Sequence, residues 1–103
     1  MEIIMDDKQY YNLVFVNHGT DKNYLFQVPS MIRLKKGEKV FVDTSQGECI
    51  GTCVSNSFIV GEYETDCIVV ATGAYKPLKN VIGWAEKQEG YRCIDFGLVD
   101  IPF

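Results

Sequence analysis

Short runs of apolar and β-branched residues, separated by turns, form the pattern of this chain. The first run, residues 10–17 (YYNLVFVN), ends at a turn of sequence Gly-Thr-Asp-Lys-Asn. A second run, residues 24–28 (YLFQV), ends at Pro29. Runs of this length and composition, bounded by glycine, asparagine and proline, are typical of β-strands. We therefore predict that the two runs form a β-hairpin.

The clearest unit is residues 34–54 (LKKGEKVFVDTSQGECIGTCV), in which two strand-like runs flank a loop of hairpin composition, Thr-Ser-Gln-Gly. Val40 and Val42 share one face of the first strand because side chains alternate along a strand. Gly51 lies inside the returning strand, where glycine is unfavourable and marks a bulge or a close approach of another backbone. Such bends allow a small sheet to curl into a barrel.

The second half of the chain continues with short elements. Residues 58–60 follow a Ser-Asn-Ser turn and predict a strand, and residues 61–66 predict an acidic loop or edge. Residues 67–71 (CIVVA) form an unbroken apolar run of strand length. Such a run is typical of a strand that is buried on both faces.

Residues 78–87 (LKNVIGWAEK) fit either a helix or a strand. A helix would have Gly83 near its middle, which weakens a helix by about 1 kcal/mol relative to alanine. We therefore prefer a strand. The prediction is a second hairpin formed by residues 81–85 and 91–96, preceded by a single helical turn at residues 77–80.

Length and composition are those of one globular domain. The chain has 103 residues, of which 47% are hydrophobic and 23% are charged, close to the average for a soluble domain. We expect one mostly β domain over residues 1–103, a small open or closed barrel of short antiparallel strands with an apolar tail at residues 98–103.

No apolar run approaches the roughly 20 residues of a spanning helix, and the first residues lack the basic start of a signal peptide. We expect a cytoplasmic protein without membrane association.

That compartment determines how the four cysteines are interpreted. They are Cys49, Cys53, Cys67 and Cys93. Disulfides are rare in reducing cytosol, and the spacing lacks the second close pair of a structural zinc site. Each cysteine lies in an apolar strand-like run, where free cysteine packs as a small hydrophobe. We expect reduced, mostly buried thiols, with no metal and no cofactor.

The sequence contains no catalytic constellation. His18 lies in a turn, and no nucleophile or carboxylate is close to it in sequence. The string Asp43-Thr44-Ser45 is similar to the motif of dimeric aspartic proteases, but Ser45 replaces the required glycine, and a second Thr-Gly string has Ala71 at the carboxylate position. We predict that the protein is not an enzyme. A homodimeric aspartic-protease-like domain is the last alternative.

A basic cluster precedes the third predicted strand. Its members are Arg33, Lys35, Lys36 and Lys39. Together with aromatic side chains of the first hairpin as stacking faces, at Tyr10, Tyr11, Tyr24 and Phe26, the cluster could bind nucleic acid. The formal charge of −4, from 10 basic and 14 acidic residues, opposes the approach of a polyanion. The alternative is an exposed edge whose lysines prevent edge-to-edge pairing.

The order of these elements over residues 11–89 resembles a known family. Residues 34–54 are similar to the pattern L-K-x-G-D-x-V-V-V-E-T-x-R-G-x-E-x-G-x-V, after an aromatic strand here represented by residues 24–26. Residues 78–86 (LKNVIGWAE) are similar to x-x-x-V-I-R-x-A-T. Both patterns belong to the C-terminal domain of bacterial "polymerase suppressor" proteins, of which a stage-zero sporulation protein is the best-known example. The resemblance implies a scaffold within regulatory or RNA-processing complexes.

The chain departs from the family pattern at two arginines, which are Gln46 and Gly83 here, so any basic contact made by those arginines has no donor at these positions. The segment from residue 91 also predicts strand and tail, where family members continue with a helix.

We expect a non-catalytic protein-interaction or scaffold module that binds a protein or a second copy, with nucleic-acid binding through residues 33–39 as the alternative. The acidic loop, residues 62–66, and the apolar tail are the other candidate surfaces. The candidate partner-binding residues of the tail are Leu98, Val99, Ile101 and Phe103.

Overall fold

A computed structural model describes residues 10–19, 22–74, 78–87 and 90–96, which form seven strands and one helix. The elements are β1 (Tyr10–Asn17), β2 (Tyr24–Val28), β3 (Lys39–Thr44), β4 (Gly47–Cys53), β5 (Phe58–Gly61), α1 (Glu62–Thr72), β6 (Val81–Lys87) and β7 (Tyr91–Asp95). The paired strands are antiparallel, which confirms the prediction of a mostly β fold of short antiparallel strands. The three predicted hairpins are β1–β2, β3–β4 and β6–β7.

The strands form one sheet in the order β2-β1-β4-β3-β6-β7, and β5 pairs with β1. β1 and β6 each meet two different neighbouring strands along one edge. In β1, Val16 and Asn17 pair with β4, whereas residues 10–13 pair with β5. Residues 83–87 of β6 pair with β7, and Asn80, just before β6, forms an isolated bridge with Gln27 of β2. This bridge brings β2 next to β6 without a continuous ladder, so the sheet is an open barrel.

The core lies on the inner side of the curled sheet. Its buried members are Val14, Val16, Phe26, Val28, Ile32, Leu34, Val40, Val42, Cys53, Val81 and Phe96. Val40 and Val42 both point inward, as their alternation predicts. The Trp84 ring packs edge-on against Phe96 with 4.7 Å between ring centroids, an arrangement that contributes about 0.5–1.5 kcal/mol beyond simple burial.

Two glycines mark points where another chain segment comes too close for a side chain. A Cβ atom at Gly51 would collide with Val16 Cγ1 and lie 3.0 Å from the Asn17 carbonyl oxygen, which confirms the predicted close approach. A Cβ atom at Gly83 would collide with the Ile94 carbonyl oxygen of β7. The arginine of the family pattern therefore has no room at Gly83.

The predictions of an acidic loop or edge at residues 61–66 and of a buried strand at residues 67–71 are wrong, because the chain forms the helix α1 there. Gly61 occupies the N-cap position, and Glu62 and Glu64 lie in the first turn, where carboxylates interact favourably with the helix dipole. Gly73 ends the helix in the left-handed conformation with φ of 75°. These end signals outweigh the β-branched run between them.

The helical turn predicted at residues 77–80 is not formed over the described part of that segment. Leu78 and Lys79 are not helical, Asn80 forms the bridge to β2, and Pro77 lies outside the described residues. The apolar tail, residues 98–103, also lies outside them. Within the described ranges, no helix is long and apolar enough to cross a membrane.

Candidate interaction surfaces

The segment between β2 and β3 has one side in the core and the other in solvent. Ile32 and Leu34 are buried, and the residues that alternate with them are exposed. We name the exposed side the basic ridge, which consists of Met31, Arg33, Lys35 and Lys36. Lys39, the fourth predicted nucleic-acid contact, is exposed at the start of β3. The structure thus places the whole basic cluster on the surface.

The turn before β5 holds the backbone of the basic ridge. The Leu34 N–H donates to Ser57 Oγ at 2.9 Å, and the Ser57 N–H donates to the Leu34 carbonyl oxygen at 2.9 Å. The Lys36 N–H donates to Asn56 Oδ1 at 2.8 Å. These bonds join residues 20 or more positions apart, so the ridge is anchored to the turn before β5 as well as to its neighbours in sequence.

Asn12 of β1 anchors the other end of the segment. Its side-chain amide donates to the Pro29 carbonyl oxygen at 2.9 Å and to the Ile32 carbonyl oxygen at 2.6 Å. The amide lies in the interior, and its Oδ1 atom has no hydrogen-bond partner in the described structure. The ridge is therefore fixed by Asn12 at one end and by Asn56, Ser57 and Glu38 at the other, where the Lys35 N–H donates to Glu38 Oε1 at 2.9 Å.

The four basic side chains are not equally available. Arg33 Nη1 donates to the carbonyl oxygens of Ser30 at 2.8 Å and Ile32 at 3.2 Å. Lys39 Nζ donates to Thr52 Oγ1 at 2.8 Å. The ammonium groups of Lys35 and Lys36 make no hydrogen bond or ion pair with the described part of the chain.

The predicted stacking aromatics are also only partly available. Phe26 is buried in the core and Tyr11 is half-buried. The Tyr24 ring stacks on His18 with 5.1 Å between centroids, and Lys22 Nζ lies 5.9 Å from the Tyr24 centroid. His18, the histidine considered above as a possible catalytic base, therefore packs against an aromatic ring of the first hairpin.

Helix α1 presents an apolar row to solvent. Tyr63, Cys67 and Val70 are spaced by four and then three residues, which places them on one side of a helix. Tyr63 is 77% exposed and Val70 is 81% exposed. Thr65, on the opposite side, is buried where the helix contacts β1 and β5.

Carboxylates border this row. At 3.6 residues per turn, Glu62 and Asp66 lie along one side of the row and Glu64 along the other. All three are exposed, and the sequence of α1 contains no basic residue. We name the row and its border the outer face of α1, which consists of Glu62, Tyr63, Glu64, Asp66, Cys67 and Val70. The sequence predicts only the acidic part of this face, because Cys67 and Val70 fall in the run predicted to form a buried strand.

The thiols differ in environment. The prediction of burial is confirmed for Cys53, whereas Cys49 and Cys93 are half-buried, and it is wrong for Cys67, which faces solvent.

Burial, with a smaller contribution from the charge of Glu38, raises the pKa of Cys53 to about 11. The hydrogen bond with Cys67 is the main cause that raises the pKa of Tyr63 above its usual value. No group of three possible metal ligands occurs among the residues that the structure describes.

The aspartate of the protease-like string belongs to the β3–β4 hairpin. Asp43 is exposed at the end of β3, directly opposite Glu48 of β4. Thr44 Oγ1 donates to the Gly47 carbonyl oxygen at 2.7 Å and accepts from the Gln46 N–H at 3.1 Å. The string therefore closes a hairpin turn, and Gln46, at the position of a family arginine, is exposed in that turn.

β5 lies between the basic ridge and α1. Ser57, which bonds to the ridge, immediately precedes β5, and α1 immediately follows it. Ile59 of β5 is 47% exposed and pairs with Asn12, and the 64% exposed Tyr10 pairs with Gly61. The two candidate surfaces thus adjoin one edge strand with exposed apolar residues.

Comparisons with models of known families, with curated proteins and with solved structures find no match to this chain. The resemblance to the polymerase-suppressor family stays a prediction. The tail residues Leu98, Val99, Ile101 and Phe103 lie outside the described residues. The outer face of α1 and the basic ridge are therefore the surfaces from which a function can be argued.

Proposed function

We propose that this protein is a non-catalytic interaction module that binds a protein partner through the outer face of α1. The observation that carries the proposal is the exposure of Tyr63 and Val70 on one side of the helix. Large apolar side chains gathered on a surface and bordered by polar residues are typical of protein-binding sites.

The energetics support the same conclusion. Helices in proteins are stabilised mainly by packing of their apolar side, yet Tyr63, Cys67 and Val70 face away from the barrel. Covering a large apolar side chain contributes about 1.5–3 kcal/mol, so burial of Tyr63 and Val70 by a partner would supply a substantial part of a binding free energy.

The border determines the chemistry of the partner. Carboxylates on both sides of an apolar row favour a partner that presents apolar side chains next to basic ones. We place the protein in the cytoplasm, where the reducing environment would keep the exposed thiol of Cys67 unmodified.

Nucleic-acid binding through the basic ridge is the second candidate. The ammonium groups of Lys35 and Lys36, which bond to no group in the described part of the chain, favour it. The local hydrogen bonds of Arg33 and Lys39 compete with phosphate contacts, and the net charge of −4 opposes the approach of a polyanion. This binding would be weak and strongly dependent on salt.

Site-specific photo-crosslinking in cells tests the proposal. A photoreactive phenylalanine replaces Val70 in one variant and the exposed Lys87 of β6 in the control. We expect a protein adduct from position 70 that disappears when Glu62→Lys and Asp66→Lys are added, and no comparable adduct from position 87. Equal adducts from both positions, or none from position 70, would contradict the proposal. An adduct at position 70 that nuclease treatment shortens would be an adduct to nucleic acid rather than to protein, and would also contradict the proposal.

A further inference from the structure

We infer that the partner of the outer face of α1 is a second copy of this chain, which contributes its basic ridge. The inference rests on the proposed function and names the occupant of the same surface. Each copy would place its ridge on the helix of the other, so the two contacts are equivalent.

Charge complementarity is the first argument. The ridge carries three cations, Arg33, Lys35 and Lys36, beside the 72% exposed Met31. The outer face of α1 carries three carboxylates beside exposed apolar side chains. One surface thus has the composition that the other requires, an apolar contact flanked by opposite charges.

The dimensions of the two surfaces also agree. Residues 31–35 span at most about 14 Å, because each of the four steps of an extended chain advances at most about 3.3–3.6 Å. Tyr63 and Val70 are separated by about 10 Å along the helix axis, at about 1.5 Å per residue. Met31 could therefore contact the apolar row while the basic side chains of the same ridge reach its acidic border.

The placement of the surfaces allows a symmetric contact. Both adjoin β5, the ridge through the Leu34–Ser57 hydrogen bonds and α1 by direct continuation of the chain. In the inferred dimer the two-fold axis lies near the exposed Ile59, so that both ridge–helix contacts form and Ile59 is covered as well. Isologous contacts of this kind close on themselves and give dimers.

Sedimentation velocity on charge-reversal variants tests the inference. The helix variant carries Glu62→Lys and Asp66→Lys, and the ridge variant carries Lys35→Glu and Lys36→Glu. All four side chains are exposed, so thermal melts should show that each variant folds. We expect the wild type to dimerise with increasing concentration. Each variant alone should associate at least about tenfold more weakly, because attractive charge pairs between ridge and helix become repulsive.

Mixing the two variants is the decisive step. The helix variant has two basic surfaces and the ridge variant has two acidic ones, so an equimolar mixture should recover dimerisation. The control, Glu48→Lys with Lys87→Glu, changes exposed charges elsewhere and should behave as the wild type. A wild type that is monomeric at every concentration, or a mixture that stays dispersed, would overturn the inference. A position-70 crosslink to a different protein would overturn it while leaving the proposed function intact.

Discussion

Leu34 and Ser57 form two reciprocal hydrogen bonds: the Leu34 N–H donates to Ser57 Oγ, and the Ser57 N–H donates to the Leu34 carbonyl oxygen, both at 2.9 Å. Leu34 is buried in the core, so its backbone groups depend on this pairing rather than on solvent. The pair fixes the basic ridge against the start of β5 and so links it to the element that continues into α1.

The first prediction concerns this link. Ser57→Ala removes the acceptor of the Leu34 N–H and should lower the free energy of unfolding by about 1–3 kcal/mol, the cost of an unsatisfied buried donor. Urea denaturation measures the change. The control Ser45→Ala lies in the exposed β3–β4 turn and should change stability by less than about 0.5 kcal/mol. Equal effects of the two substitutions would show that the pair does not anchor the ridge.

The second prediction concerns Gly83. Gly83→Ser places a Cβ atom against the Ile94 carbonyl oxygen, and relief requires a shift between β6 and β7. We expect a loss of at least about 1–3 kcal/mol of stability, as for an overpacked interior site. Gly61→Ser is the matched control, because its Cβ would meet only the mobile end of Glu64 and serine is favoured at an N-cap. A thermal melt in which both variants match the wild type would refute the close approach.

The third prediction concerns pH. The pKa of Cys53 rises from 9.0 to about 11 in the folded protein, so between these values the folded state holds a proton that the unfolded state has lost. The free energy of unfolding should therefore fall as pH increases from about 9 to about 11, by about 2–3 kcal/mol in all, and this contribution should be complete below pH 9.

Cys53→Ala separates this effect from other alkaline titrations. The variant should be less stable at neutral pH, because it leaves a cavity, but its stability should decrease less steeply over the same alkaline range. Denaturation at several pH values gives both slopes. Parallel slopes for the variant and the wild type would contradict the assignment to Cys53.

The hairpins could be predicted from sequence because their signals are local. Gly47, for example, has φ of 105° directly after the two-residue turn, a position that glycine favours. The helix α1 was not predicted, because the run of residues 67–71 has strand composition and its period is ambiguous over so few residues. The glycines at positions 61 and 73 were the signal that could have corrected the assignment.

The candidate surfaces follow the same division. The basic ridge could be predicted from charge alone, since Lys35 and Lys36 are adjacent in sequence. The outer face of α1 could not, because the strand assignment placed Val70 inside the protein. The anchoring of the ridge by Asn12 and Ser57 joins residues that are distant in sequence, and such contacts have no local pattern.

Peptide-resolved thiol labelling of the native protein tests most directly whether the outer face of α1 is a docking surface for a second copy. In dilute protein Cys67 should react at least about tenfold faster than Cys53, because it is exposed and the Cys53 thiol is buried with a raised pKa. As the protein concentration increases, the rate at Cys67 should fall while the rate at the half-buried Cys93 stays constant. If Cys67 is as slow as Cys53 in dilute protein, or keeps the same rate at every concentration, the account is contradicted.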